Sequence, residues 1–170
     1  MNNTPESLNT RTPPARLLQD RVILITGAAG GIGQAIAMDM AAYGATTILL
    51  DRDVSGLEQA YDSIVGAGHP EPAPYPMDLQ GAEPDDYTPL AATLADEFGQ
   101  LDGLVHNAAQ LGALVPFANY DNELWFQNLQ ANLNAPYLLT TACLGLLNAS
   151  QDASIVFTSD AVGRKGKAYW

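Results

Sequence analysis

Cysteine is almost absent from this chain: Cys143 is the only one among 170 residues. No internal disulfide can form, which fits a reducing compartment and points to the cytoplasm. No Cys/His cluster has metal-ligand spacing, so no metal site is expected. Cys143 follows Thr140, Thr141 and Ala142 in a helical stretch and reads as core filler. Basic residues are scarce too, seven against nineteen acidic ones, for a net charge of −12. That balance disfavours nucleic acid and anionic membrane surfaces as partners. The one basic cluster, Arg164, Lys165 and Lys167, is too small to reverse it. Long apolar runs are missing, so no membrane span is expected. Residues 1–20 are polar, contain Pro5, Pro13 and Pro14, and lack the apolar core of a secretory signal. They are expected to form a disordered N-terminal arm, leaving 21–170 as one domain.

What the chain does have is an alternation of short apolar runs and helical patterns. Residues 22–25 are apolar on both faces, as a central parallel strand requires. After a Gly-rich turn, Ile32, Ala35, Ile36 and Met40 recur at helical spacing until Gly44. A β-branched strand follows over 46–50, closed by Asp51, and then a helix over 54–65. Prolines alternate through 69–76, so a strand there must lie at a sheet edge or begin only near Tyr75. A third helix is expected over 85–98, a fourth strand over 101–106, and a long helix from a cap at Asp121 to about residue 147. Residues 154–158 give a fifth strand. The pattern predicts an α/β fold, a Rossmann-type doubly wound parallel sheet of order 3-2-1-4-5.

The turn Thr26-Gly27-Ala28-Ala29-Gly30-Gly31-Ile32-Gly33 joins the first strand to the first helix. Glycines there permit a tight turn, close approach of backbone to a pyrophosphate, and tight packing of helix on strand. The helix dipole and free N–H groups then face the phosphates. Asp51 stands where a carboxylate reads an adenosine ribose. It accepts from a free 2′-hydroxyl and repels a 2′-phosphate, so NAD is the expected cofactor. Arg52 beside it could pair with that phosphate, which keeps NADP possible. Pro136 lies inside a helical pattern and has no N–H, so the carbonyl of Asn132 loses its usual partner and can hold a water.

These residues carry a family resemblance. The loop resembles the Thr-Gly-x-x-x-Gly-x-Gly signature of classical short-chain dehydrogenases/reductases. Gly27, Gly30 and Gly33 also fit the Gly-x-x-Gly-x-x-Gly spacing of the extended, sugar-nucleotide-modifying branch. Later motifs favour the first. Asp78-Leu79 is similar to the family's adenine-contacting pair. Residues 102–109 resemble the strand with its Asn-Asn-Ala-Gly motif, matching at Asn107 and Ala108 and departing at His106 and Ala109. Gln130-Ala-Asn132-Leu-Asn134 is similar to the helix with the catalytic asparagine, placed at Asn132, whose backbone carbonyl holds a water of the proton relay. Residues 155–163 resemble the strand and turn with the catalytic serine. The resemblance covers about 20 to 170.

It implies hydride transfer between NAD(P) and a small-molecule alcohol or carbonyl. It implies cofactor contacts from Thr26, Gly27, Gly31, Ile32, Gly33, Asp51, Arg52, Asp78, Leu79, Asn107 and Ala108. Two departures bear on the chemistry. The serine position falls on Asp160, with Ser159 one residue early, so both are candidates beside Asn132. The family's tyrosine base follows its serine by about thirteen positions, with a lysine four residues later, and Trp170 comes before that point. Tyr169 is too early and reads as aromatic surface or packing. The chain is therefore expected to be a domain incomplete at its C-terminus, truncated after the fifth strand. It would bind NAD weakly without turning over substrate, and its parent would be a homo-oligomer. The alternative expectation is a non-catalytic dinucleotide-binding or interaction module on the same fold.

Overall fold

The computed structural model describes residues 13–168. The first twelve residues of the expected arm, and Tyr169, lie outside that range. From Pro14 onward the arm is held: residues 15–20 form turns, and the Leu18 N–H donates to the Tyr43 carbonyl at 3.0 Å while its side chain packs on the core. The apolar leucine gives this stretch something to bury, which the polar residues around it concealed.

Five parallel strands form one sheet in the order β3-β2-β1-β4-β5. They are β1 (Val22–Thr26), β2 (Thr46–Asp51), β3 (Ala73–Pro76), β4 (Gly103–His106) and β5 (Ser154–Phe157). The alternation of strand and helix predicted that order. Between them run α1 (Gly31–Ala42), α2 (Val54–Gly66), α3 (Tyr87–Phe98), α4 (Asn122–Leu129) and α5 (Ala135–Ala149).

Successive side chains of the central strands feed two cores. Leu24, Ile48, Leu50 and Leu104 pack with α3 and α5, through Leu90, Leu94, Leu139 and Cys143. Ile23, Ile25, Leu49 and Val105 pack on the opposite face with Ala37 and Ala41 of α1 and Leu57, Ala60 and Ile64 of α2. Cys143 is buried, and burial pushes its thiol up to about 11, in keeping with an inert packing role. The prolines of β3 sit at the sheet edge, as their missing N–H groups require, facing only β2. At the other edge β5 pairs with β4, and Ile155, Val156 and Phe157 are exposed.

Three boundaries differ from the periodicity. Pro84 opens a short 3-10 turn (Pro84–Asp86), locked by a reciprocal cap between Glu83 and Asp86, so α3 starts two residues later than expected. Leu101 and Asp102 precede β4, their N–H groups going to the Leu146 and Val22 carbonyls. The long helix does begin at Asp121, whose carboxylate accepts from the Leu124 N–H at 2.9 Å. It is not uniform, because a π-turn over Gln130–Asn134 separates α4 from α5. Pro136 cannot donate to the carbonyl four residues back, and a widened turn is one way a helix absorbs that loss. Among the described residues no helix is long and apolar enough to cross a membrane.

Candidate functional site

The strand order reverses between β1 and β4, and a crevice opens there outside the carboxyl ends of the strands. It has a volume of about 420 Å³. The turn after β1 forms its floor, and glycine is required at two points of that turn. Gly27 has φ +68°, and a Cβ on it would lie 2.9 Å from the Ala108 Cα. A Cβ on Gly33 would lie 2.0 Å from the Gly27 carbonyl oxygen, so α1 can approach β1 this closely only without one. Gly31 is different. A Cβ there would meet no protein atom within 4 Å, and the residue lines the crevice. The first turn of α1 holds no acidic residue, and Gly30 offers no side-chain cap. The positive end of the helix dipole therefore faces the crevice without a counter-charge of its own.

Most of the cofactor residues expected from sequence meet here: Gly27, Gly31, Ile32, Gly33, Asp51, Arg52, Asp78, Leu79, Asn107 and Ala108 all line the crevice. Thr26 does not. It is buried beneath the turn, where its Oγ accepts from the Asn107 and Ala108 N–H groups, both at 3.0 Å. Asn107 in turn donates through Nδ2 to the Thr26 carbonyl at 3.2 Å. These bonds clamp the end of β4 to the glycine turn, a packing role that sequence spacing does not reveal.

Asp51 is engaged by backbone. Its Oδ2 accepts from the Ala29 N–H at 3.0 Å and its Oδ1 from the Asp53 N–H at 3.1 Å. Arg52 is largely exposed and reaches Gln80 Oε1 at 3.2 Å and Asp78 Oδ1 at 3.8 Å. Gln80 was missed from sequence, as was Gln110, because neither amide belongs to a recognisable motif.

The three catalytic candidates lie outside this crevice. Asn132 sits in the π-turn, and its side chain makes a reciprocal pair with the Gln110 backbone, accepting from the N–H and donating to the carbonyl, both at 2.7 Å. That pair ties the loop after β4 to the long helix and occupies the Asn132 amide. Asp160 is also engaged. Its Oδ1 accepts from the Val162 N–H at 2.9 Å and caps the turn Ala161–Gly163. Ser159 is exposed, and its hydroxyl has no hydrogen bond among the described residues.

His106 stands where the resemblance expects asparagine. It is buried, its Nε2 lies 2.9 Å from the Thr140 hydroxyl, and its ring stacks on Phe157 with centroids 4.7 Å apart. Burial lowers its pKa to about 4, so the ring is neutral near pH 7. It joins β4, α5 and β5 and does not line the crevice.

Such a crevice at the switch point of a doubly wound sheet, floored by a glycine turn and an open helix start, defines a dinucleotide-binding class of fold. The family model for short chain dehydrogenases matches residues 21–170. This chain belongs to the short-chain dehydrogenase family. It is 41% identical over 158 residues to the uncharacterized oxidoreductase YciK of Escherichia coli (strain K12), covering 93% of this chain and 63% of that protein. A solved short chain dehydrogenase from Pseudomonas syringae superposes with a TM-score of 0.91 at 46% identity, over 94% of this chain and 66% of that one. A short chain dehydrogenase from Escherichia coli CFT073, solved in complex with NADPH, gives 0.90 at 42% identity, over 93% of this chain and 66% of that one. The chain thus spans somewhat under two thirds of these relatives.

Proposed function

We propose that this chain is the dinucleotide-holding part of an oxidoreductase that moves a hydride between a nicotinamide and a carbon bearing an alcohol or carbonyl. One observation carries the reading: an uncapped helix start, without an acid in its first turn, opens onto a crevice where Gly31 leaves room that no protein atom fills. A diphosphate fits that combination of free donors, dipole and space. Gly31, Ile32 and Gly33 would hold the pyrophosphate, Asp51 and Arg52 the adenosine ribose, Asp78 and Leu79 the adenine, and Asn107 and Ala108 the nicotinamide half. When bound, the dinucleotide supplies or accepts the hydride at its nicotinamide ring.

Asp51 taken alone favours NAD. Two observations turn the proposal toward NADP(H). Arg52 extends a largely exposed guanidinium beside Asp51, held by Gln80 at 3.2 Å and Asp78 at 3.8 Å. Related structures from Escherichia coli CFT073 and Shigella flexneri hold NADPH and NADP respectively.

For the chemical step, Ser159 is the group that donates to the substrate oxygen, since Asp160 is committed to its turn and a carboxylate there would repel a developing alkoxide. Asn132 acts through its backbone carbonyl, because its side chain is taken up by Gln110. No tyrosine in these 170 residues is followed four positions later by lysine, so residues 1–170 alone bind cofactor without turnover. The exposed apolar stripe Phe126, Leu133, Tyr137 and Leu144 on the long helix suits packing against a second copy. A cytoplasmic enzyme fits the single cysteine.

Asp160 in the serine position also favours a second reading, a non-catalytic dinucleotide-binding module. Transfer of deuterium from 4-deuterated NADPH to a ketone by the native polypeptide, immunocaptured from its source, separates the two. Transfer supports the dehydrogenase, and saturable NADPH binding without transfer supports the module. Failure of NADPH to bind at about 1 mM would reject both.

A further inference from the structure

Parallel pairing of β2 with β3 sets Asp51 opposite Pro76, and the Met77 N–H donates to the Asp51 carbonyl at 2.9 Å. Arg52, which follows β2, and the turn that follows β3 are thereby brought side by side. Backbone closes that turn: the Gly81 and Ala82 N–H groups both donate to the Asp78 carbonyl. Leu79 anchors it in the core. Gln80 is left half-buried, and it lines the crevice together with Arg52.

The orientation of the Gln80 amide follows from its neighbour. Arg52 donates from Nη1 to Gln80 Oε1 at 3.2 Å. A guanidinium has donors only, so the amide must turn its oxygen to Arg52 and its nitrogen away. Gln80 Nε2 then carries two N–H groups with no partner among the described residues. Arg52 also approaches Asp78 through Nη1, at 3.8 Å, so its Nη2 and Nε are unengaged as well. Three donor nitrogens without acceptors therefore stand at one corner of the crevice. The Gln80 backbone N–H donates to Asp78 Oδ1 at 3.1 Å, which fixes the residue that carries the amide. A phosphate monoester brings three strong acceptor oxygens to such a corner. A free ribose hydroxyl has no comparable need of these donors, because Asp51 already offers it an acceptor.

We propose that Gln80 is a specificity-determining residue that favours NADP(H) by donating from Nε2 directly to the 2′-phosphate, beside Arg52. The assignment rests on the dinucleotide reading of the crevice and on its NADP(H) form. Asp78 is the anion that the phosphate must displace from Arg52. That pair is loose at 3.8 Å and exposed on both sides, so little is lost with it.

Calorimetric titrations of the 170-residue chain with NADPH and with NADH test the assignment. Gln80→Ala lowers NADPH affinity about fivefold and leaves NADH affinity as in the parent. Gln80→Glu keeps an acceptor for Arg52 but puts a negative oxygen in place of the two N–H groups, and it lowers NADPH affinity further. The deciding comparison is made in an Arg52→Ala chain. A residue that only props Arg52 has nothing left to position there, whereas a direct donor still counts. Adding Gln80→Ala in that background therefore weakens NADPH by about another fivefold. Where the heats are too small, phosphorus NMR of the 2′-phosphate follows the same titrations. No further loss in the Arg52→Ala background, or equal losses for NADPH and NADH, overturns the assignment and leaves the dinucleotide reading in place. A parent chain that binds NADH but not NADPH removes the NADP(H) form and the role of Gln80 with it. A parent chain that binds neither removes the dinucleotide reading as well.

Discussion

Adding one methyl group to Gly33 places a carbon 2.0 Å from the Gly27 carbonyl oxygen, 2.7 Å from its carbonyl carbon and 2.9 Å from the Ala28 Cα. All three neighbours are backbone, so no side chain can swing away. Real Cβ contacts essentially never fall below 3.0 Å, so α1 must retreat by about 1 Å. Overpacking of this kind costs about 1–3 kcal/mol. The retreat also withdraws the first-turn N–H groups from the phosphates, and a displacement of this size weakens their contact by about tenfold or more. Gly31→Ala is the matched control. Its new methyl meets no protein atom and removes a glycine from a helix, which leaves stability unchanged or raises it by up to about 1 kcal/mol. The same methyl intrudes on the crevice, so dinucleotide affinity falls all the same. Urea unfolding and NADPH fluorescence titration on both variants give the two readouts. A Gly33→Ala chain as stable as its parent, or a Gly31→Ala chain that binds NADPH unchanged, would rule out this tight approach of α1 to the turn or the place of Gly31 at the phosphates.

Arg52→Ala should lower NADPH affinity by about tenfold while hardly changing NADH affinity, as calorimetry of both cofactors would show; an equal loss for both would remove Arg52 from the 2′-phosphate. His106 is neutral in the fold with a pKa of about 4 against an ordinary 6.5, so the unfolded chain binds the extra proton first. Stability therefore declines as pH falls from 6.5 towards 4, and the urea midpoint at pH 5 lies below that at pH 7; His106→Asn should flatten this difference. Burial raises the pKa of Asp102, but hydrogen bonds from Ser150, the Val22 N–H, Gln100 and Arg21 outweigh it and hold the carboxyl below its ordinary 3.8. Its stabilisation is complete above that value and is lost as pH falls through the lower folded-state value, so Asp102→Asn should lose less stability than the parent between pH 5 and pH 2. Leu133→Glu, on the exposed helix stripe, should abolish any self-association seen by sedimentation without changing the far-UV spectrum.

The order of the sheet was legible because strand-helix alternation and right-handed crossovers leave few arrangements, and the prolines at 74 and 76 then select the edge. The crevice was legible because Gly27, Gly33 and Asp51 must occupy set positions around a strand-turn-helix unit. Thr26 looked like a cofactor contact and proved to be a clamp, since spacing cannot tell a hydroxyl that faces a crevice from one turned beneath it. The π-turn was only half visible. Pro136 announced a fault in the helix, but how the backbone absorbs it depends on long-range contacts such as the Asn132–Gln110 pair. The loop over 110–120 was not visible at all, because these residues follow no period and their shape is set by Tyr120, Asn128 and Gly112 together.

If the glycine turn and the residues around it hold a dinucleotide, they must respond to it residue by residue. The most direct measurement is a titration of isotopically labelled chain with NADPH, followed by amide chemical shifts. Saturable shifts at residues 27–33, 51–52, 78–80 and 107–110 are the predicted result. Shifts confined to other parts of the chain, or none at about 1 mM NADPH, would contradict it.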